Sequence, residues 1–204
     1  MRSHVVRQLR PLLIAAAVFA LAPAHAQDAS RADSAAMASK IARMQDAAAH
    51  PRPPKAEPMR TAFTDREMNA YLQVEGPSFL PMGIADPQIS TGEGGRVTAR
   101  AMIDLDKVRL SQQRGLLDPL AFVRGSVEVI ATGFVVASNG RGMGSFESAT
   151  IAGIPVPKRV AEELLRFYTR TAERPQGFSL DDTFDLPAHI QSVNVGAGRV
   201  TVTQ

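Results

Sequence analysis

Side chains able to move a proton, attack a carbonyl or hold a metal are sparse in this sequence. Of its four His, His4 and His25 fall within the first 26 residues, leaving His50 and His189. A Ser-His-Asp arrangement would need His189 joined to a Ser and an Asp from elsewhere, and no G-x-S-x-G elbow is present. His189 reads as an ordinary residue at a strand start. Asp181, Asp182 and Asp185 suggest Ca²⁺ by their clustering, but they lack the ligand spacing and mid-loop Gly of an EF-hand. They read as a solvated loop or a helix cap. Asp104 and Asp106 share one face of a strand, where they aid solubility. Gly92-Glu93-Gly94-Gly95 and the Gly-rich stretch after Asn139 match neither a P-loop nor a G-x-G-x-x-G opening a helix, and read as hairpin turns. The absence of Cys excludes a disulfide scaffold, a thiolate metal site, a Cys nucleophile and an acylated Cys anchor. The expectation is a protein that is not an enzyme and carries no metal or cofactor.

The amino terminus reads as an address. Residues 1–10 hold Arg2, Arg7 and Arg10 and no acid, residues 12–22 are apolar throughout, and Pro23 precedes the small-residue pattern Ala24-His25-Ala26. This order is that of a secretory signal peptide, with cleavage expected after Ala26. The apolar run is shorter than the about 20 residues that span a bilayer. No later stretch is apolar enough to do so, and the mature chain is expected in the periplasm or secreted, without a transmembrane span. The whole chain has 23 Lys and Arg against 20 Asp and Glu; beyond residue 26 the two signs balance. A neutral chain lacks the basic stripe that neutralises phosphates, so no nucleic-acid partner is expected.

Residues 27–60 read as a helix from about Asp33 followed by a Pro-rich extended linker. Met37, Ile41, Met44 and Ala48 make one narrow apolar stripe, so this helix depends on docking. Residues 61–204 read as a single α+β domain. Thr64 and Glu67 form a capping box opening a short helix that Gly76-Pro77 ends. Val97, Ala99, Ala101, Ile103 and Leu105 alternate with Thr98, Arg100, Met102, Asp104 and Asp106, which predicts a strand with the first set inward. Further strands are expected near 88–91, 126–138, 143–151, 189–195 and 199–203. Asn139-Gly140 is the tip of one hairpin. Asp118-Pro119 opens a short turn carrying Leu120 and Val123. Pro157 starts a helix to about Arg170, apolar along Val160, Ala161, Leu164, Leu165, Phe167 and Tyr168. The sum is about five or six strands and two or three helices.

One strand is apolar on both sides. Val127, Val129, Ala131 and Val135 fall on one face, Ile130, Phe134 and Val136 on the other, with Glu128 and Thr132 the polar exceptions. Either a helix covers the second face or that face lines an apolar cavity.

Three strings together carry a family resemblance: the segment Phe63-Thr64 through Tyr71-Leu72, the glycine turn and strand running from Gly140 to the Gly153-Ile154-Pro155-Val156-Pro157 helix start, and Leu186-Pro187-Ala188-His189-Ile190 with its following strands. In this order they resemble small secreted bacterial proteins of the YpmS-like and LmeA-like groups, related to the tubular lipid-binding (TULIP-like) class. The resemblance implies a curved antiparallel sheet wrapped on a helix, an apolar groove, and binding of a lipid or other apolar ligand in the cell envelope. It carries no catalytic residue. The expected apolar wall is Ile130, Phe134, Val136 and Phe146 on the central hairpin with Leu164, Phe167 and Tyr168 on the late helix. The alternative is an envelope structural or interaction protein that offers a partner the strand 199–204 as an exposed sheet edge, or an apolar patch.

Overall fold

The computed structural model of the chain describes residues 22–50, 53, 56–107, 125–168, 170, 175–177, 179–180 and 182–204. Most of the expected signal peptide, much of the Pro-rich linker, and the turn with Leu120 and Val123 lie outside these residues. The first described element is helix α1, Ala22–Ala49, which begins upstream of the expected start at Asp33. Its Ala-rich stretch has high helix propensity and nothing to break it after the first turn. After it come β1 (Arg60–Thr64), α2 (Asp65–Val74), the single turn α3 (Gly76–Phe79), β2 (Ile84–Thr91), β3 (Arg96–Asp104), β4 (Ser126–Ser138) and β5 (Arg141–Ile151). The chain continues through β6 (Ile154–Pro155), α4 (Lys158–Tyr168), β7 (Thr183–Asp185), β8 (Ser192–Gly196) and β9 (Arg199–Thr203).

The architecture is α+β, built on one antiparallel sheet that is not closed into a barrel. Its strands run in the order β1-β9-β8-β4-β3-β2, and β5 pairs with β4, β6 and β7. Among the described residues nine strands replace the expected five or six: β6 and β7 are too short to show a periodicity, and β1, with Ala62 and Phe63 side by side, does not alternate. The Asn139-Gly140 turn joins β4 to β5 as expected, with φ of 53° and 76° at its two central residues. That left-handed pair twists the chain in the sense the flanking strands need. The strand expected from His189 starts later, at Ser192. Ala188 and His189 instead both adopt left-handed φ in a turn closed by the Ile190 N–H to the Pro187 carbonyl. His189 is therefore an exposed turn residue rather than the first residue of a strand.

The carboxyl-terminal strand is not an edge. β9 lies between β1 and β8, with Val202 opposite both Thr61 and Val193, so both its sides are already paired. The free side of β2 is closed by a helix. Along α2, Asp65, Asn69 and Gln73 stand four residues apart on one stripe. Asp65 accepts the Thr91 N–H at 2.9 Å; Asn69 accepts the Ile89 N–H at 2.6 Å and donates to the Ile89 carbonyl at 2.8 Å. Gln73 donates to the Pro87 carbonyl at 3.4 Å. Four helical residues rise about 6 Å, close to two residues of strand, so one helix stripe can satisfy alternate backbone groups of a strand edge. Replacing Asn69 with Ala should cost about 1–3 kcal/mol, because it strips both partners from Ile89. Faster hydrogen exchange at the Ile89 amide would accompany that loss; unchanged exchange would contradict it.

The main core lies under α1. Met44, Phe63 and Val202 are buried together, and Met37, Ile41, Met59, Met68, Ile190, Val193 and Val200 surround them. The thin stripe of α1 is thus the lid of this core, and charge fixes its placement. Lys40 donates to both oxygens of Glu67, at 2.6 and 2.8 Å, and to the Ala62 carbonyl at 2.7 Å. Asp33 pairs with Arg66 at 2.7 Å. Glu67 also completes the capping box, accepting the Thr64 N–H while Thr64 accepts the Glu67 N–H. Burial pushes the Glu67 carboxyl up, but the bonds from Lys40 and Thr64 outweigh it and hold it below the usual carboxylate range. A depressed folded-state pKa contributes stability above the unfolded value of about 4.3 and loses it as pH falls below that. Between pH 5 and 3, wild type should therefore lose more stability than Glu67→Gln in urea melts; parallel losses would refute this.

Candidate functional site: an apolar trough

The two faces of the β2–β5 half of the sheet can be followed from strand to strand, because residues paired across an antiparallel ladder point the same way. Ile89 faces with Ala99, Ala99 with Ala131, and Ala131 with Ala149. Val97, Gly133 and Phe146 make the next row, and Ile103, Val127 and Ile84 close the far end. Thr91, opposite Val97, is the one polar side chain in these rows; the rest are apolar. The opposite face carries Thr98 bonded to Thr132, Arg100 paired with Glu128, and Arg96 paired with Glu147.

The alternation in β3 places Val97, Ala99, Ala101 and Ile103 on one face, as the sequence indicates. The expected contrast in burial holds only at the end of the run, where Leu105 is buried and Asp106 exposed. Ala99 is as open as Arg100, and Val97, Ala101 and Ile103 are half-buried like Thr98, Met102 and Asp104. Periodicity decides which side chains share a face; cover decides whether that face is dry. Among the described residues, the apolar face of this half of the sheet is covered only at its β5 side, where α4 and the segment before β7 lie.

Two cavities stand over that side. One, of about 490 Å³, lies among Gly144, Leu165, Leu180, Thr183 and Phe184, with Ser179 and Asp182 at its polar end. The other, of about 240 Å³, lies over Val97, Ala131, Gly133, Val135 and Phe146. Both are lined by Gly144 and Leu180, so they adjoin there as one trough. Two glycines shape the floor. A Cβ on Gly142 would come within 2.6 Å of the Phe184 ring, which lies over it. A Cβ on Gly144 would meet nothing nearer than the Leu180 carbonyl at 3.6 Å, so here the floor is bare backbone with room above it.

The expected wall is divided by this geometry. In β4, Ile130, Phe134 and Val136 face with Thr150, Ser145 and Met143, on the polar side of the sheet, and Val136 is 58% exposed there. Phe146 faces with Gly133, in the trough. A β-bulge separates them: Thr132 pairs with Ser148 but Gly133 with Phe146, so Glu147 is an extra residue and inverts the parity of β5. Phe134 borders the smaller cavity, although its register directs it away from the trough. Leu164 and Phe167 are half-buried on α4, with the Arg170 guanidinium 5.8 Å from the Phe167 ring centre. The Tyr168 side chain lies outside the described residues. Val97, Ala131, Val135, Gly144, Leu165, Leu180 and Phe184 were not expected as site residues. For the β4 members the signal was present, in the all-apolar set of Val127, Val129, Ala131 and Val135.

Chemistry other than apolar contact has little to work with here. No group of three or more His, Cys, Asp or Glu among the described residues could hold a metal. A third cavity, of about 480 Å³, lies beside Asp33, Lys40, Arg66, Glu67 and Arg199; Lys40 pairs there with Glu67 and Arg66 with Asp33. No described helix is long and apolar enough to cross a membrane. No protein-family model, characterised protein or solved structure matches the chain.

Proposed function

We propose that the protein is a non-catalytic binding module that shelters the apolar chain of a lipid, acting in the envelope or outside the cell. The observation that supports this most is the apolar face of β2–β5, which the described residues leave open beside a trough floored by Gly144. A domain with a chain this long can bury its apolar surface, and an open row of Ala, Val and Ile beside a cavity is what a ligand would cover. Each buried CH₂ contributes roughly 0.8 kcal/mol, so eight would give about 6 kcal/mol before the cost of association. The signal-peptide pattern supports the location, and the resemblance to TULIP-like proteins agrees with the ligand class.

Laurdan, an uncharged fluorophore with a lauroyl chain, tests the reading. Its emission should shift to the blue on mixing with the protein and saturate. Gly144→Leu, whose Cβ would stand at ordinary contact distance, 3.6 Å, from the Leu180 carbonyl and whose side chain would fill the trough, should weaken that binding at least threefold; equal binding by wild type and variant would contradict it. An interaction role has one supporting observation, since Phe79, Met82 and Ile154 are each more than half exposed. Concentration-dependent self-association or partner capture that survives Gly144→Leu would favour that reading.

A further inference from the structure

The polar end of the larger cavity has a chemical preference. Among the described residues that line it, the one charged side chain is Asp182, which is exposed at the rim. One of its oxygens accepts the Ser179 N–H at 3.1 Å, which leaves acceptor capacity facing outward. Beside it, the Ser179 hydroxyl donates to Glu162 at 3.2 Å. On α4, Arg166 is held by the same Glu162 at 2.6 Å. The rim therefore offers acceptors and negative charge, next to a slot whose floor and walls are Gly144, Leu165, Leu180 and Phe184.

Resting on the proposed trough, we infer that its ligand is a single-chain amphiphile whose head donates hydrogen bonds and bears no negative charge, as a monoacylglycerol does. A chain seated over Gly144 brings its first polar atoms to Ser179 and Asp182. Hydroxyl groups there meet an acceptor. A carboxylate there meets a like charge at the solvent-exposed rim, where repulsion is least screened at low salt. Free fatty acids of the same length are thereby disfavoured, although the apolar contact is identical.

Competition against laurdan separates these outcomes. Monododecanoyl glycerol should displace the probe at least tenfold more tightly than dodecanoate at pH 8 and low salt. Asp182→Asn keeps an oxygen for the Ser179 N–H and removes the charge. It should strengthen dodecanoate binding about three- to tenfold and leave monododecanoyl glycerol within twofold. Dodecanoate binding as tightly as the glyceride, or an Asp182→Asn variant that treats both ligands as wild type does, would overturn the inference and leave the trough standing. Failure of laurdan and both amphiphiles to bind would remove the trough reading and this inference with it.

Discussion

Replacing Phe63 with Ala should destabilise the fold by about 3–5 kcal/mol, the largest single loss expected in this chain. Phe63 is 6% exposed and sits where three elements meet: its own strand β1, the strand β9 that pairs with it, and α1 above. The Lys40 ammonium lies 5.7 Å from the ring centre, on its way to Glu67. Truncation therefore opens a cavity and loosens the seat of the ion pair that orients α1. Met37, Ile41 and Met44 of α1 belong to the same core, so the loss should weaken the docking of α1, and helical and sheet signals should fall together on heating. In urea the midpoint should fall with little change in slope if unfolding stays two-state. A loss under 1 kcal/mol would mean that α1 is not part of the cooperative unit.

The second large effect falls on binding rather than stability. Ala131→Asp places a carboxylate in the middle row of the apolar face, between Ala99 and Ala149. In the free protein this face is half open, so the charge stays hydrated and folding should persist with a melting temperature within a few degrees of wild type. A bound chain would strip that hydration without supplying a partner, which costs several kcal/mol. Laurdan affinity should fall at least thirtyfold. Val136→Asp, on the opposite face and already 58% exposed, should bind as wild type does. Equal losses in the two variants would show that the faces are not distinguished by the ligand.

What the sequence makes legible is local. The Thr64–Glu67 capping box, the Asn139-Gly140 turn and the parity within residues 97–105 all depend on neighbours a few positions apart, and each is found where its residue types place it. What crosses between elements is harder to read. One extra residue, Glu147, shifts Phe146 to the other face from Phe134, and nothing in the alternation of either strand marks it. Strand order is likewise silent: residues 199–203 look the same as an edge or an interior strand, and the short segment 60–64 that pairs with them has no period to detect. The β4 run, apolar on both faces, suggests burial on both, whereas its polar-face residues Ile130 and Phe134 stay half-buried beside ion pairs. The chosen wall followed the larger side chains, while the trough uses small ones, because Gly and Ala create the space that Phe and Ile would fill.

The measurement that bears most directly on the trough is an isotope-filtered NOE experiment on the labelled protein with unlabelled monododecanoyl glycerol. The chain methylenes should show contacts to the methyl groups of Val97, Ala131, Val135 and Leu180, with none to Ile130 or Val136. Contacts to Ile130 and Val136 instead, or no contact to any methyl at saturating ligand, would contradict the assignment of this face as the binding site.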